Sequence, residues 1–190
     1  MNLSEMVLKI QSLGYNPDDA RARVCQDIVL KAIEKSSLSR NVTVKGGVVM
    51  RSITKNIRRA TQDIDIDFIR YALSDETIDL FVEKLNCIQG IRIKRTGKIE
   101  DLRQQDYKGK RVHIDITDNY DNLIESKIDV GVHKHIEVRQ EEYCFDIAFD
   151  NKGASLLINT REQMFAEKLR SLLKFGVFST RYKDIYDMYY

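Results

Sequence analysis

Apolar residues recur along this chain with two periods. Ala20, Val24, Ile28, Ala32 and Ile33 repeat at helical spacing behind Asp18 and Asp19, which predicts a helix over 18–37, and a shorter one is expected over 3–13. Alternation then takes over. Val42–Lys45 reads as a short strand entering Gly46-Gly47, with Val48–Ser52 starting a helix whose N-terminus lies over those glycines. In 62–70, Ile64, Ile66 and Phe68 alternate with Asp63, Asp65 and Asp67, so a strand there puts three carboxylates on one face. Ser74 caps a helix running to about Asn86. Strands are expected at 91–94, 111–117 and 127–132, the last two joined by a hairpin turn at Asp121 and Asn122, with an edge strand over 143–149. The helical period returns over 161–175, with Phe165, Leu169 and Leu172 on the buried face and Gly176 past the end. Ser179 or Thr180 caps a last helix still running at Tyr190, a pattern that predicts a truncated C-terminal region.

Helices around a mixed sheet make an α/β (α+β) fold, and 190 residues fit one domain. Within it, 1–40 are expected to be helices packing on the core, 41–160 the sheet-bearing core and 161–190 the closing helices. With 31 basic and 29 acidic residues the net charge of +2 does not by itself point to nucleic acid. The clusters Arg51, Lys55, Arg58, Arg59 and Arg92, Lys94, Arg95, Lys98 read as solvated surface. Cys25, Cys87 and Cys144 form no zinc spacing and fit reduced thiols of a cytoplasmic protein; His133 and His135 are expected on one exposed strand face. No signal peptide or membrane-spanning apolar run is present, so no membrane partner is expected, and a single proline argues against a long linker.

The alternating acids change the picture. Like charges spaced roughly 6.5–7 Å apart on one strand face repel, and that spacing suits a shared cation. Asp63 and Asp65 are therefore the expected ligands of a hard divalent ion, Mg²⁺ or Mn²⁺. Asp67, about 13 Å from Asp63 along the strand, takes a supporting place. Glycines at 46 and 47 let backbone N–H groups approach a phosphate. Metal on carboxylates and phosphate on glycines together suggest phosphoryl or nucleotidyl transfer. A third carboxylate from a neighbouring strand is needed as ligand or base, and Asp129 and Asp115 both qualify. Lys168 sits beside the apolar helix face, where its ammonium either snorkels or meets phosphate. Arg181 and Asp184, three apart on the last helix, form a structural pair that orients Lys168 or contact nucleotide.

K-G-G (45–47), R-A-T-Q-D-I-D (59–65), K-I-D-V-G (127–131), A-E-K-L-R-S-L (166–172) and R-Y-K-D-I-Y-D (181–187) together resemble the AbiEii/AbiGii toxin nucleotidyltransferases of the polymerase-beta-like superfamily. The resemblance implies a nucleotidyltransferase fold with a mixed sheet carrying the catalytic carboxylates. It implies metal on Asp63, Asp65 and Asp129, which decides against Asp115, and a nucleotide held by Lys45, Gly46, Gly47, Lys168 and Arg181. Asp184 would support the site. The implied activity is transfer of NMP from an NTP to an acceptor hydroxyl, such as the 3′ end of a tRNA or other RNA, by a toxin with a cognate antitoxin. Two other readings stand beside it: a small-molecule or protein acceptor, and a non-catalytic nucleotide- or partner-binding domain. Two departures are visible. Val48 stands where the superfamily often has serine after the glycine, and Val132-His133 where Gly-Asp often follows the late strand.

Overall fold

The computed structural model describes residues 1–102, 109–132, 139–176 and 182–189. The chain opens with α1 (Leu3–Ser12) and α2 (Pro17–Lys35), each started by an asparagine whose side chain accepts a backbone N–H, Asn2 from Glu5 and Asn16 from Asp19. Then come β1 (Val42–Lys45), α3 (Gly46–Thr54), a 3-10 turn (Ile57–Arg59), β2 (Ile64–Phe68) and α4 (Asp75–Lys84), the last capped by Ser74 as expected. Five strands follow: β3 (Ile91–Leu102), β4 (Gly109–Asp118), β5 (Leu123–Val132), β6 (Gln140–Ile147) and β7 (Asp150–Asn159). Helices α5 (Arg161–Phe175) and α6 (Tyr182–Met188) close the chain.

The strands form one mixed sheet in the order β3-β4-β5-β2-β1-β7-β6. Strand β2 lies antiparallel to β1 and parallel to β5, while β7 runs parallel to β1. One face carries the core. Ile64, Ile66, Val112, Ile114, Ile116, Ile128 and Val130 are all at most 1% exposed. Helix α2 packs against β5, β6 and β7, and α4 against β3. Asp118 ties α1 to the β4–β5 turn by accepting from the Leu3 N–H at 2.7 Å.

Several expectations are corrected. Helix α3 starts at Gly46, two residues early, because the glycine backbone itself makes the turn into the helix. Strand β3 runs to Leu102 through Gly97, paired with β4 across a bulge. The edge strand expected at 143–149 is present as β6, the outermost strand, but it starts at Gln140, and β7, which the sequence did not predict, lies between it and β1. In α5 the face expected to be buried is open: Phe165 is 47% and Leu169 40% exposed, and the helix docks instead through Met164, 8% exposed. The capping positions Ser179 and Thr180, and also His133 and His135, lie outside the described residues.

Candidate active site

At the β1–α3 junction the chain turns sharply. Gly46 has φ +68, and a β-carbon there would lie 2.2 Å from Asp65 Oδ2; one on Gly47 would lie 2.7 Å from the Thr61 side chain. Only glycine lets the backbone lie this close to the Asp65 carboxylate. No side chain caps α3, so its first N–H groups and the positive end of its dipole are left for an anion.

Strand register does the rest. Lys45 lies opposite Asp65, Asp65 opposite Asp129, and Asp129 opposite Arg111, so one row of charged side chains crosses β1, β2, β5 and β4. Asp115 sits farther along β4, opposite Glu125. Asp67, in the next row, pairs with Lys45 at 2.6 Å, and Asp63, just before β2, pairs with Lys127 at 2.9 Å. Arg111 grips both oxygens of Asp129, at 2.7 and 2.8 Å. Burial pushes the Asp65 carboxyl up to about 6; Lys45 pulls against this, and the charges of Asp129, Asp63 and Asp67 add to it.

Lys168 belongs to a second cluster. Its ammonium donates to Asp187 at 2.7 Å and Asp184 at 3.1 Å. Asp187, with no exposed side-chain surface, also accepts from Arg59 through two bonds of 2.6 Å. Asn56 donates to Tyr186 at 2.9 Å. This network ties α5 and α6 to the turn that leads through Thr61 into β2, so Lys168 and Asp184 are joined to the acidic row through the backbone that positions it. Arg181 lies outside the described residues.

Arg111, Lys127 and Asp187 were not singled out from the sequence, and Arg59, expected with Arg51 on solvated surface, is buried, as is Arg51. The signal for Arg111 was present. A hairpin turning at Asp121 and Asn122 brings it opposite Asp129. Arg59 and Asp187 stand at the ends of two quoted motifs.

Among the described residues no group of three or more His, Cys, Asp or Glu side chains is disposed to hold a metal ion. The expected trio Asp63, Asp65 and Asp129 lies on neighbouring chain segments, but Asp63 and Asp129 are turned toward Lys127 and Arg111. The donor chemistry fits a divalent ion all the same. The oxygens are hard, and Asp65 is half-buried among like charges that a cation would relieve. A groove of about 1240 Å³ opens between α1 and β5, lined by Leu8, Gln62, His113 and Leu123 among others; it reaches Lys127, the partner of Asp63, but none of Lys45, Asp65, Asp129 and Arg111 lines it.

The family described as "Nucleotidyl transferase AbiEii toxin, Type IV TA system" matches residues 28–190, which span β1 through α6 and every residue of the acidic row. The chain belongs to the AbiEii family. No curated protein matches it. AbiEii membership makes the chain a nucleotidyltransferase and a toxin of a toxin–antitoxin, abortive-infection system. The mixed sheet flanked by helices is the polymerase-beta-like architecture of such enzymes. The family carries with it NTP as substrate and the use of a divalent metal. No described helix is long and apolar enough to cross a membrane.

Proposed function

We propose that this AbiEii protein transfers NMP from an NTP to a hydroxyl at the 3′ end of an RNA, a tRNA being the first candidate, and that a cognate antitoxin restrains it. The observation that carries this reading is the row Lys45–Asp65–Asp129, packed against Gly46 at the open start of α3. Phosphate oxygens of the nucleotide lie on the N–H groups of Gly46 and Gly47, with Lys45 beside them. Asp63, Asp65 and Asp129 are the residues that would hold Mg²⁺ or Mn²⁺. The ion, when bound, would neutralise charge developing on the phosphates.

Asp129 takes the proton of the acceptor hydroxyl. Attack in line on the alpha-phosphorus expels pyrophosphate, so catalysis is positioning and charge stabilisation with no protein nucleophile. Lys168 and Asp184, with Asp187 and Arg59, hold the segment leading into β2. RNA is favoured as acceptor because Arg92 and Lys94 are exposed on the sheet face that carries the row, farther along the strands. Ile91 and Ile93 turn to the core, which leaves these two cations on the face that carries Arg111 and Asp129.

The test is label transfer from each alpha-labelled NTP to total RNA in Mg²⁺, beside Asp63→Ala/Asp65→Ala. Label on a tRNA-sized band that requires both acids supports the reading. Transfer that persists without them refutes the site. Binding of NTP without RNA labelling moves the acceptor to a small molecule or protein.

A further inference from the structure

The carboxylates at the two ends of the acidic group are already engaged, each by a cation from the same sheet. Arg111 and Asp129 face each other across β4 and β5 in strict register, and the guanidinium takes both carboxylate oxygens. A bidentate pair of this kind is the strongest form of carboxylate recognition a side chain offers. The pair is not a loose surface contact, since the side chains are 28% and 11% exposed. The field of Asp63 and of Glu100 holds Arg111 charged as well, after Asp129 itself. Lys127 and Asp63 repeat the arrangement at 2.9 Å in a more open setting.

A divalent ion approaching Asp129 or Asp63 therefore meets a resident positive charge on the oxygens it needs. At contact distance this repulsion opposes metal binding, and it does so more strongly in a partly buried site than in water. Strand register fixes where the two cations are attached, so when they let go they remain beside the row.

We propose that Arg111 and Lys127 are positioning residues that stand in for the metal. They hold Asp129 and Asp63 in the metal-free protein, compete with the divalent ion for those oxygens, and turn to the polyphosphate once displaced. The inference rests on Asp63, Asp65 and Asp129 being the metal carboxylates. On this account metal and nucleotide bind together more readily than either does alone. The metal frees two cations for the phosphates, and the phosphates give those cations somewhere to go.

The experiment measures Mn²⁺ binding to the full chain by electron paramagnetic resonance of the free ion. The set is wild type, Arg111→Gln, Lys127→Gln and Asp63→Ala/Asp65→Ala, with circular dichroism on each. Inorganic tripolyphosphate binding is then measured at saturating Mn²⁺. Each glutamine variant should bind Mn²⁺ alone about tenfold more tightly and tripolyphosphate about tenfold more weakly. A merely structural ion pair would not move the two affinities in opposite directions. If Arg111→Gln does not fold, Lys127→Gln, whose pair is more exposed, carries the same test. Unchanged or weaker Mn²⁺ binding by the folded variants overturns the inference and leaves the metal carboxylates standing. Wild-type protein that binds no Mn²⁺, or binding that survives loss of Asp63 and Asp65, overturns both.

Discussion

Replacing Asp65 with asparagine should make the metal-free protein more stable near neutral pH and leave it little changed in acid. The Asp65 carboxyl lies half-buried behind Gly46, and its desolvation together with Asp129, Asp63 and Asp67 lifts its pKa from 3.8 to about 6 against the pull of Lys45. The sign follows from the direction. A folded-state pKa above the unfolded one means that the folded protein takes up the proton more readily. The carboxyl therefore favours folding below about pH 4 and loses that advantage as pH rises through about 6. Shifting the pKa from 3.8 to about 6 is worth roughly 3 kcal/mol at 1.36 kcal/mol per tenfold, an upper bound once the side chain relaxes. Asparagine imitates the protonated carboxyl and does not titrate. Urea unfolding in EDTA, from about pH 4 to about pH 7.5, should show the variant gaining about 2–3 kcal/mol on wild type across that range and then levelling off. A stability difference that stays flat with pH, or a variant less stable than wild type at neutral pH, would refute the reasoning.

Asp187→Ala strips a buried carboxylate from Arg59, leaving that guanidinium uncompensated, and leaves Lys168 with Asp184 alone, at a cost of about 3–5 kcal/mol. Urea midpoints check this, and a loss under about 1 kcal/mol would show that the network is not what holds α6. Gly46→Ala should cost about 2–4 kcal/mol, from left-handed backbone strain together with the clash on Asp65 Oδ2. In an Asp65→Ala background, where only the 3.1 Å contact with the residue-65 β-carbon remains, the cost should fall to about 1–2 kcal/mol, mainly the backbone share. Equal costs in both backgrounds would mean that the carboxylate is not what the glycine accommodates.

Local chemistry was legible in the sequence where a residue acts within its own segment. Ser74 capped its helix, and the alternation of Ile64, Ile66 and Phe68 with acids gave β2 its buried and polar faces. What failed was non-local. Phe165, Leu169 and Leu172 form an apolar stripe, but period shows only that a face is apolar, not that the rest of the chain covers it. Here α5 is anchored by Met164 and by the charges around Asp187. Strand β7 escaped because its apolar run, Leu156-Leu157-Ile158, is short and follows Gly153, and its place beside β1 comes from pairing across more than half the chain. The candidate acids were found because charge repulsion on one strand is visible locally. Their partners Arg111 and Lys127 became visible only through register.

The acidic row is assembled from four strands whose members come from positions 45, 65, 111 and 129, and Thr43 of β1 is braced by Leu157 of β7. Contacts of such long sequence separation form late and slowly. A chain still emerging from the ribosome has made Gly46, Asp63 and Asp65 long before it has made the strand that completes them. During synthesis the candidate site is therefore incomplete until β5 has been made. The row is assembled in a single step, when the sheet closes, rather than residue by residue as the chain grows.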